Sequence, residues 1–212
     1  VPHKKYRKNF GKTHFRSYIT PIRFETVSRR NCNPVIYEEW DMAEKIRVGV
    51  WGLGRAGNGM HFSELAMYPD QFEVVAGCDI DIERREAAMK KKHGIHVYDN
   101  SADFLKDQEV ELVTIATRSP DHVKHAIEAA EAGKYVMVEK PIACTLADAL
   151  ELKKASEKFP GKIFIRHNRR FEPAFVHIRE IIKSGKLGEI FRIESRVHGS
   201  RGIPGDWRQE KE

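Results

Sequence analysis

The stretch Ile46-Arg47-Val48-Gly49-Val50-Trp51-Gly52-Leu53-Gly54-Arg55-Ala56-Gly57 decides how this chain folds. Its first half is short and β-branched, which reads as a buried strand. Its second half runs at once into glycines, and a helical pattern over 58–67 follows. A strand, a glycine turn and a helix in that order open a βαβ unit. Working outward, Phe72–Cys78, residues 112–116 and Tyr135–Val138 are three more apolar runs, and Ile163–Ile165 is a shorter fifth. Near-continuous apolar strands of this kind suit a parallel sheet covered on both faces.

Helical segments separate the runs. One spans 81–92. Another starts at Ser119-Pro120-Asp121, a cap, a proline and an acid, and stops near Gly133. A third opens with Thr145-Leu146-Ala147-Asp148, close to a capping box. The expected fold is therefore α/β, a doubly wound parallel sheet of the Rossmann kind over residues 44–165, with right-handed crossovers. After Arg166 the texture changes. A helix over Pro173–Lys183 precedes a clean apolar/polar alternation at 190–197, which predicts a strand with one buried face. Such a strand with no partners after it marks residues 166–212 as the truncated start of an α/β substrate and oligomerisation domain.

The chain has 212 residues and a mass of 24.4 kDa, so its length suits one domain plus part of another. No apolar run approaches the roughly 18 residues that span a bilayer. Cys32, Cys78 and Cys144 are odd in number and far apart, which excludes a disulfide framework and fits a reducing, cytoplasmic setting. No metal-ligand spacing occurs. The net charge of +6 is unevenly placed. Residues 1–30 hold nine Lys/Arg against the single acid Glu25, a local +8, which leaves 31–212 at −2. The basicity belongs to a tail, residues 1–43, that shows no period and reads as disordered. Such a tail binds polyanions without selectivity, so no specific nucleic-acid partner is expected. Ser28-Arg29-Arg30 hints at a twin-arginine signal, but polar residues stand where its apolar run would be. Met42 opens Met-Ala-Glu-Lys directly before the first strand and is the expected natural start.

Gly52-Leu53-Gly54-Arg55-Ala56-Gly57 matches Gly-x-Gly-x-x-Gly, and its context is met by a strand before, a helix after and an acid, Asp79, 22 residues beyond Gly57. Gly52 permits the turn, Gly54 lets the backbone approach a pyrophosphate, and Gly57 lets helix and strand pack closely. The helix N-terminus adds free N–H groups and partial positive charge. Asp79 is placed to accept hydrogen bonds from a ribose diol, which favours NAD; Arg84 and Arg85 follow closely enough to neutralise a 2′-phosphate, so NADP stays open. Val138-Glu139-Lys140-Pro141 ends a strand at the carboxyl edge, where doubly wound sheets bind ligands. A lysine there can exchange a proton with an alcohol or carbonyl while hydride moves; an ordinary surface lysine is the equal alternative on spacing alone.

Ala116-Thr117-Arg118-Ser119-Pro120-Asp121-His122, Ala132-Gly133-Lys134-Tyr135-Val136, Glu139-Lys140-Pro141, Asn168-Arg169-Arg170-Phe171 and Trp207-Arg208 occur in one register. In order and spacing they resemble the glucose–fructose oxidoreductase / inositol dehydrogenase / rhizopine catabolism (Gfo/Idh/MocA) family, over about residues 45–212. The resemblance implies a two-domain NAD(P)-dependent oxidoreductase, homo-oligomeric at full length, acting on sugars, polyols and related secondary alcohols. Carried over position by position, it puts Thr117, Ser119 and His122 beside the cofactor and makes Glu139 and Lys140 a cofactor-contacting pair, with Lys140 catalytic. Asn168, Trp207 and Arg208 match positions that touch the nucleotide from the second domain. Two departures stand out. The family usually has Thr-Pro-Asn where this chain has Thr117-Arg118-Ser119, and its Asp-x-x-x-His pair beyond the Trp-Arg segment is absent. The expected protein is thus the amino-terminal part of such a dehydrogenase, inactive alone. The alternative is a nucleotide-binding protein without turnover, a short form or redox-responsive regulator. A nucleic-acid binder driven by the tail is the third class.

Overall fold

The computed structural model describes residues 45–196. The expectations placed on residues 1–44 and on Trp207 and Arg208 lie outside that range. The chain divides into two compact units, with the break between Phe171 and Glu172.

The first unit is built on β1 (Ile46–Trp51), β2 (Phe72–Cys78), β3 (His96–Tyr98), β4 (Leu112–Ile115), β5 (Tyr135–Val138) and β6 (Ile163–Ile165). They form one sheet in the order β3-β2-β1-β4-β5-β6, every pair parallel. Register follows the hydrophobic pattern: Val48 lies against Val74 and Leu112, and Trp51 against Cys78 and Ile115. Residues alternate across the pleat, so each strand feeds both faces. Val48, Val50, Leu53, Phe62, Leu65 and Ala88 fill one core, under α1 (Phe62–Leu65) and α2 (Ile82–Lys91). Trp51, Phe104, Val113, Ala126, Val136 and Leu152 fill the other, under α3 (Ser101–Lys106), α4 (His122–Glu131) and α5 (Leu146–Lys158). Helices on both faces make the sheet doubly wound, as the strand runs required.

Caps place the helix ends. The Asp81 carboxylate accepts from Glu83 N–H, and the Thr145 hydroxyl accepts from Asp148 N–H, the second as its capping-box signal predicted. Gly133, at φ +82°, closes α4, with its N–H on Ala130 O and that of Lys134 on Ala129 O. Ser119 departs from expectation. It caps nothing with its side chain; it is buried as the first residue of a 3₁₀ turn, Ser119–Asp121, that winds directly into α4. Proline in the second place of that turn tightens the entry, so the α-helix proper begins at His122.

Two elements had no sequence expectation. β3 has three residues at the sheet edge and α3 has six, both too short for a period to register.

The second unit contains α6 (Pro173–Lys183), as expected. Its expected strand at 190–197 does not form among residues 190–196. Phe191 is 96% and Ile193 66% exposed, and Arg192 and Arg196 both pair with Glu194 instead. Alternation supplies two faces, but a strand also needs a ladder partner to take its backbone hydrogen bonds, and no described strand adjoins it.

Candidate functional site: the carboxyl edge of the sheet

Hydrogen bonding continues one residue past each central strand. Asp79 N–H donates to Tyr98 O (3.1 Å), Gly52 to Cys78 O (2.8 Å) and Ala116 to Trp51 O (2.8 Å). Glu139 N–H donates to Ile115 O (3.0 Å) and Arg166 to Val138 O (2.8 Å). These bonds set Asp79, Gly52, Ala116, Glu139 and Arg166 side by side along the carboxyl edge. Strand order reverses between β1 and β4, and a crevice outside the strand ends opens at such a switch point.

The glycine loop sits on that edge. Gly52 adopts φ +94°, and a Cβ on it would stand 2.6 Å from the Ala116 carbonyl carbon. A Cβ on Gly57 would stand 1.8 Å from Gly52 O, so only glycine lets the following helix lie this close to β1. Gly54 differs: a Cβ there would meet only the Arg84 guanidinium, at 3.7 Å. A side chain there would clash with nothing, so the loop is unobstructed at Gly54, where a pyrophosphate would need room. The helix beyond begins with π-wound turns, Arg55–His61, and passes without a break into α1. Arg55 and Ala56 stand at its start, and Leu53, 1% exposed, anchors the loop in the core. The residues present fit a dinucleotide.

Asp79, 7% exposed, does two things. Its Oδ2 accepts from Leu53 N–H (2.7 Å) and its Oδ1 from Asp81 N–H (3.0 Å), so it braces the glycine loop from below. Lone pairs remain for a ribose hydroxyl, since each carboxylate oxygen has two. Arg84 Nη1 lies 3.5 Å from the same Oδ2, while Arg85 caps the carbonyls of Asp79 and Ile80.

Across the crevice, Thr117 is held at both ends. Its hydroxyl meets His125 Nδ1 (3.0 Å) and its carbonyl meets His122 Nε2 (3.1 Å). His125 stacks on Trp51, ring centroids 4.0 Å apart, and burial pushes its pKa down, which keeps the ring neutral near pH 7. His122 is 1% exposed, and its Nδ1 lies 2.7 Å from Pro141 O. It bridges the loops after β4 and β5 from inside the wall. Both neighbours are carbonyl oxygens, so a neutral ring donates to one at a time.

Lys140 is exposed at the end of β5, and its bond to Pro141 is cis. Beside it Glu139 is 5% exposed and turns inward. Its Oε1 accepts from His61 Nε2 (3.0 Å) and from Arg166 Nη1, and its Oε2 accepts from the Lys140 N–H (3.1 Å). Arg166 Nη2 bonds Glu64 on α1. Burial opposes ionisation of Glu139 most, but the His61 hydrogen bond and the Arg166 charge outweigh it together and hold its pKa down at about 2. Asn168 is half-buried in a helical turn, Asn168–Phe171.

The edge thus brings together Gly52, Leu53, Gly54, Arg55, Ala56, Gly57 and Asp79 on one side, and Thr117, Ser119, His122, Glu139 and Lys140 on the other. Sequence reading missed His61, Glu64, His125 and Arg166. For His61 and Arg166 one signal existed: a carboxylate on a buried strand end requires a cation. Among the described residues no group of three or more His, Cys, Asp or Glu gathers as a metal would need.

Residues 46–167 match the Gfo/Idh/MocA oxidoreductase family, whose fold is an NAD-binding Rossmann domain. The chain belongs to that family. Curated relatives include the inositol 2-dehydrogenase of Salmonella typhimurium, 34% identical over 163 residues, 75% of this chain and 48% of the relative. The myo-inositol 2-dehydrogenase of Thermotoga maritima is 32% identical, over 71% of this chain and 45% of its own. Among solved structures, an NAD-binding protein from Listeria innocua superposes with a TM-score of 0.68 at 37% identity, covering 78% of this chain and 48% of that one. The WlbA dehydrogenase of Chromobacterium violaceum, solved with NADH and UDP-GlcNAcA, does so at 0.64 and 31%, covering 68% and 41%. The chain spans about half the length of the curated relatives it matches. The five-motif resemblance that pointed to the Gfo/Idh/MocA family is confirmed over its Rossmann part.

Proposed function

We propose that this chain carries the nucleotide half of an NAD(P)-dependent oxidoreductase that moves hydride between the nicotinamide and a secondary alcohol of a sugar or polyol. The observation that carries the reading is the pairing, on one sheet edge, of the Gly52–Gly57 loop, unobstructed at Gly54, with an exposed lysine two residues past the end of β5. The bound cofactor supplies the hydride acceptor or donor. Gly52 and Gly57 shape the loop that receives the phosphates, and the helix from Arg55 turns its N–H groups toward them. Asp79 takes the ribose hydroxyls and favours NAD. Lys140 accepts the hydroxyl proton as an alcohol is oxidised, or returns it to the carbonyl oxygen in reduction. Thr117 and Ser119 line the opposite wall, and the family resemblance adds Asn168, Trp207 and Arg208 as further nucleotide contacts. The names of the relatives support inositol and nucleotide-linked sugars as the substrate class.

No described helix is long and apolar enough to cross a membrane. A cytoplasmic setting, supported by the free thiols of Cys78 and Cys144, and self-association of the full-length protein complete the reading.

Calorimetry with NADH and NADPH tests it first. The chain is expected to bind NADH, and NADH more tightly than NADPH. In the full-length protein, NADH formation from myo-inositol or a related polyol should fall to background in Lys140→Ala, with NADH affinity retained. No NADH binding refutes the reading outright. Full turnover in Lys140→Ala refutes the role of the lysine.

A further inference from the structure

Arg166 follows β6, three strands away from β1 and its glycine loop, yet its side chain is only 7% exposed and reaches back across the sheet edge. One nitrogen meets Glu139 at the end of β5, and the other meets Glu64 on α1, the helix that continues the glycine loop. A planar guanidinium can hold two carboxylates on separate elements at fixed angles, which a lysine ammonium cannot. The far end of the link is equally fixed. Glu139 receives His61 from the same helix and, through its other oxygen, the backbone N–H of Lys140. Two polar links therefore run from the helix after the glycine loop to Glu139, one from Glu64 through Arg166 and one directly from His61, and Glu139 carries both to the backbone N–H of Lys140. The side-chain hydrogen bonds of Glu64, His61 and Arg166 go to one another and to Glu139.

We propose that Arg166 is a positioning residue that fixes the separation between the glycine loop and Lys140, and so the span over which the two ends of a dinucleotide are held. It rests on the nucleotide reading above. The pyrophosphate end of the ligand answers to the helix, the nicotinamide end to the Lys140 loop, and the guanidinium is the tie between them. A ligand that touches only the helix is indifferent to the tie; one that touches both ends is not.

ADP-ribose and NADH separate these cases, because ADP-ribose lacks the nicotinamide. Both are titrated by calorimetry against the wild-type chain, Arg166→Met and Glu64→Gln. Glu64→Gln removes the charged partner of Arg166 on the helix while leaving the Arg166–Glu139 and His61–Glu139 contacts, and Glu64 is partly exposed, so this variant keeps the test alive if Arg166→Met does not fold. The expected result is NADH affinity lowered about tenfold in each folded variant, with ADP-ribose affinity unchanged within about twofold. Arg166→Lys, which keeps the charge but loses the planar fork that holds both carboxylates at fixed angles, should resemble Glu64→Gln. Equal losses for both ligands would make Arg166 a simple strut, and unchanged NADH binding in Glu64→Gln would remove the tie; either overturns the proposal. Absence of NADH binding by the wild-type chain overturns the nucleotide reading, and the proposal with it.

Discussion

Replacing Glu139 with glutamine keeps the side chain's size and removes its charge, so the stability change reads the buried network directly. The carboxyl's pKa falls from 4.5 to about 2 in the folded chain. That gap is worth about 3 kcal/mol, since each pH unit between folded and unfolded values carries roughly 1.4 kcal/mol. The figure agrees with the roughly 3–5 kcal/mol lost when one partner of a buried ion pair is deleted and the other is stranded. Here Arg166 would keep Glu64 but lose its second carboxylate, and His61 would lose its charged acceptor. With a urea slope of about 2 kcal/mol/M, the unfolding midpoint of Glu139→Gln should lie about 1.5 M below wild type at pH 7.

The pH dependence fixes the cause. A folded pKa below the unfolded one stabilises fully above the unfolded value and is lost as pH falls toward the folded one. The difference between wild type and Glu139→Gln should therefore hold from pH 7 to about pH 5 and shrink to about half by pH 3. Urea titrations followed by circular dichroism at pH 7, 5 and 3 measure it. Equal midpoints at pH 7, or a gap that does not narrow by pH 3, would refute the electrostatic reasoning and leave Glu139 as mere packing.

Gly57→Ala places a methyl 1.8 Å from Gly52 O, so it should abolish NADH binding and lower the thermal midpoint in the same sample; normal binding would mean that the helix can move off the loop. Asp79→Ala should narrow the preference for NADH over NADPH in calorimetry and weaken both, because Leu53 N–H loses its acceptor. Arg84→Ala should widen that preference, and tighter NADPH binding by this variant would contradict the place given to Arg84 beside Asp79. Burial pushes the Cys78 thiol up to about 12, so at pH 8 a thiol reagent should label Cys144 and spare Cys78 until urea unfolds the chain; peptide mapping of the labelled sites decides it.

What the sequence made legible follows from how each element is encoded. β1, β2, β4 and β5 are buried on both faces, so apolar runs of four to seven residues announced them without periodicity being needed. β3 lies at the edge, His96 is exposed, and Val97 and Tyr98 are only half-buried, so nothing in three residues distinguished it from a loop. α3 carried one readable mark. The Asn100 side chain accepts from Asp103 N–H, an N-cap with an acid three residues on, the same grammar that revealed α5 at Thr145 and Asp148. The alternation at 190–196 misled because a period of two describes only which face a side chain takes. It says nothing of whether another strand stands beside it.

The site divides along the same line. Gly52 and Gly57 were legible because each answers a local backbone demand, a positive φ and a close approach, and Asp79 because of its spacing from the glycines at the end of the second strand; its bond to Leu53 N–H was not. Glu139 and Lys140 were legible only as a matched motif, and the motif could not say which way Glu139 turns. Its inward turn depends on Arg166, 27 residues on, and on His61, 78 residues back, and no local pattern joins positions so far apart. Sheet order joins them. Once β5 and β6 are neighbours, the residues one step beyond each strand, Glu139 and Arg166, fall side by side, and a buried carboxylate next to a buried guanidinium is the arrangement with the lowest cost for both. The same construction applied to β1 and β4 sets Gly52 beside Ala116, which is why Gly52 has no room for a side chain. Residues that follow strands of a parallel sheet are thus coupled by topology before any motif is considered. In this chain that coupling ties the backbone of Lys140, through Glu139, to the helix that follows the glycine loop.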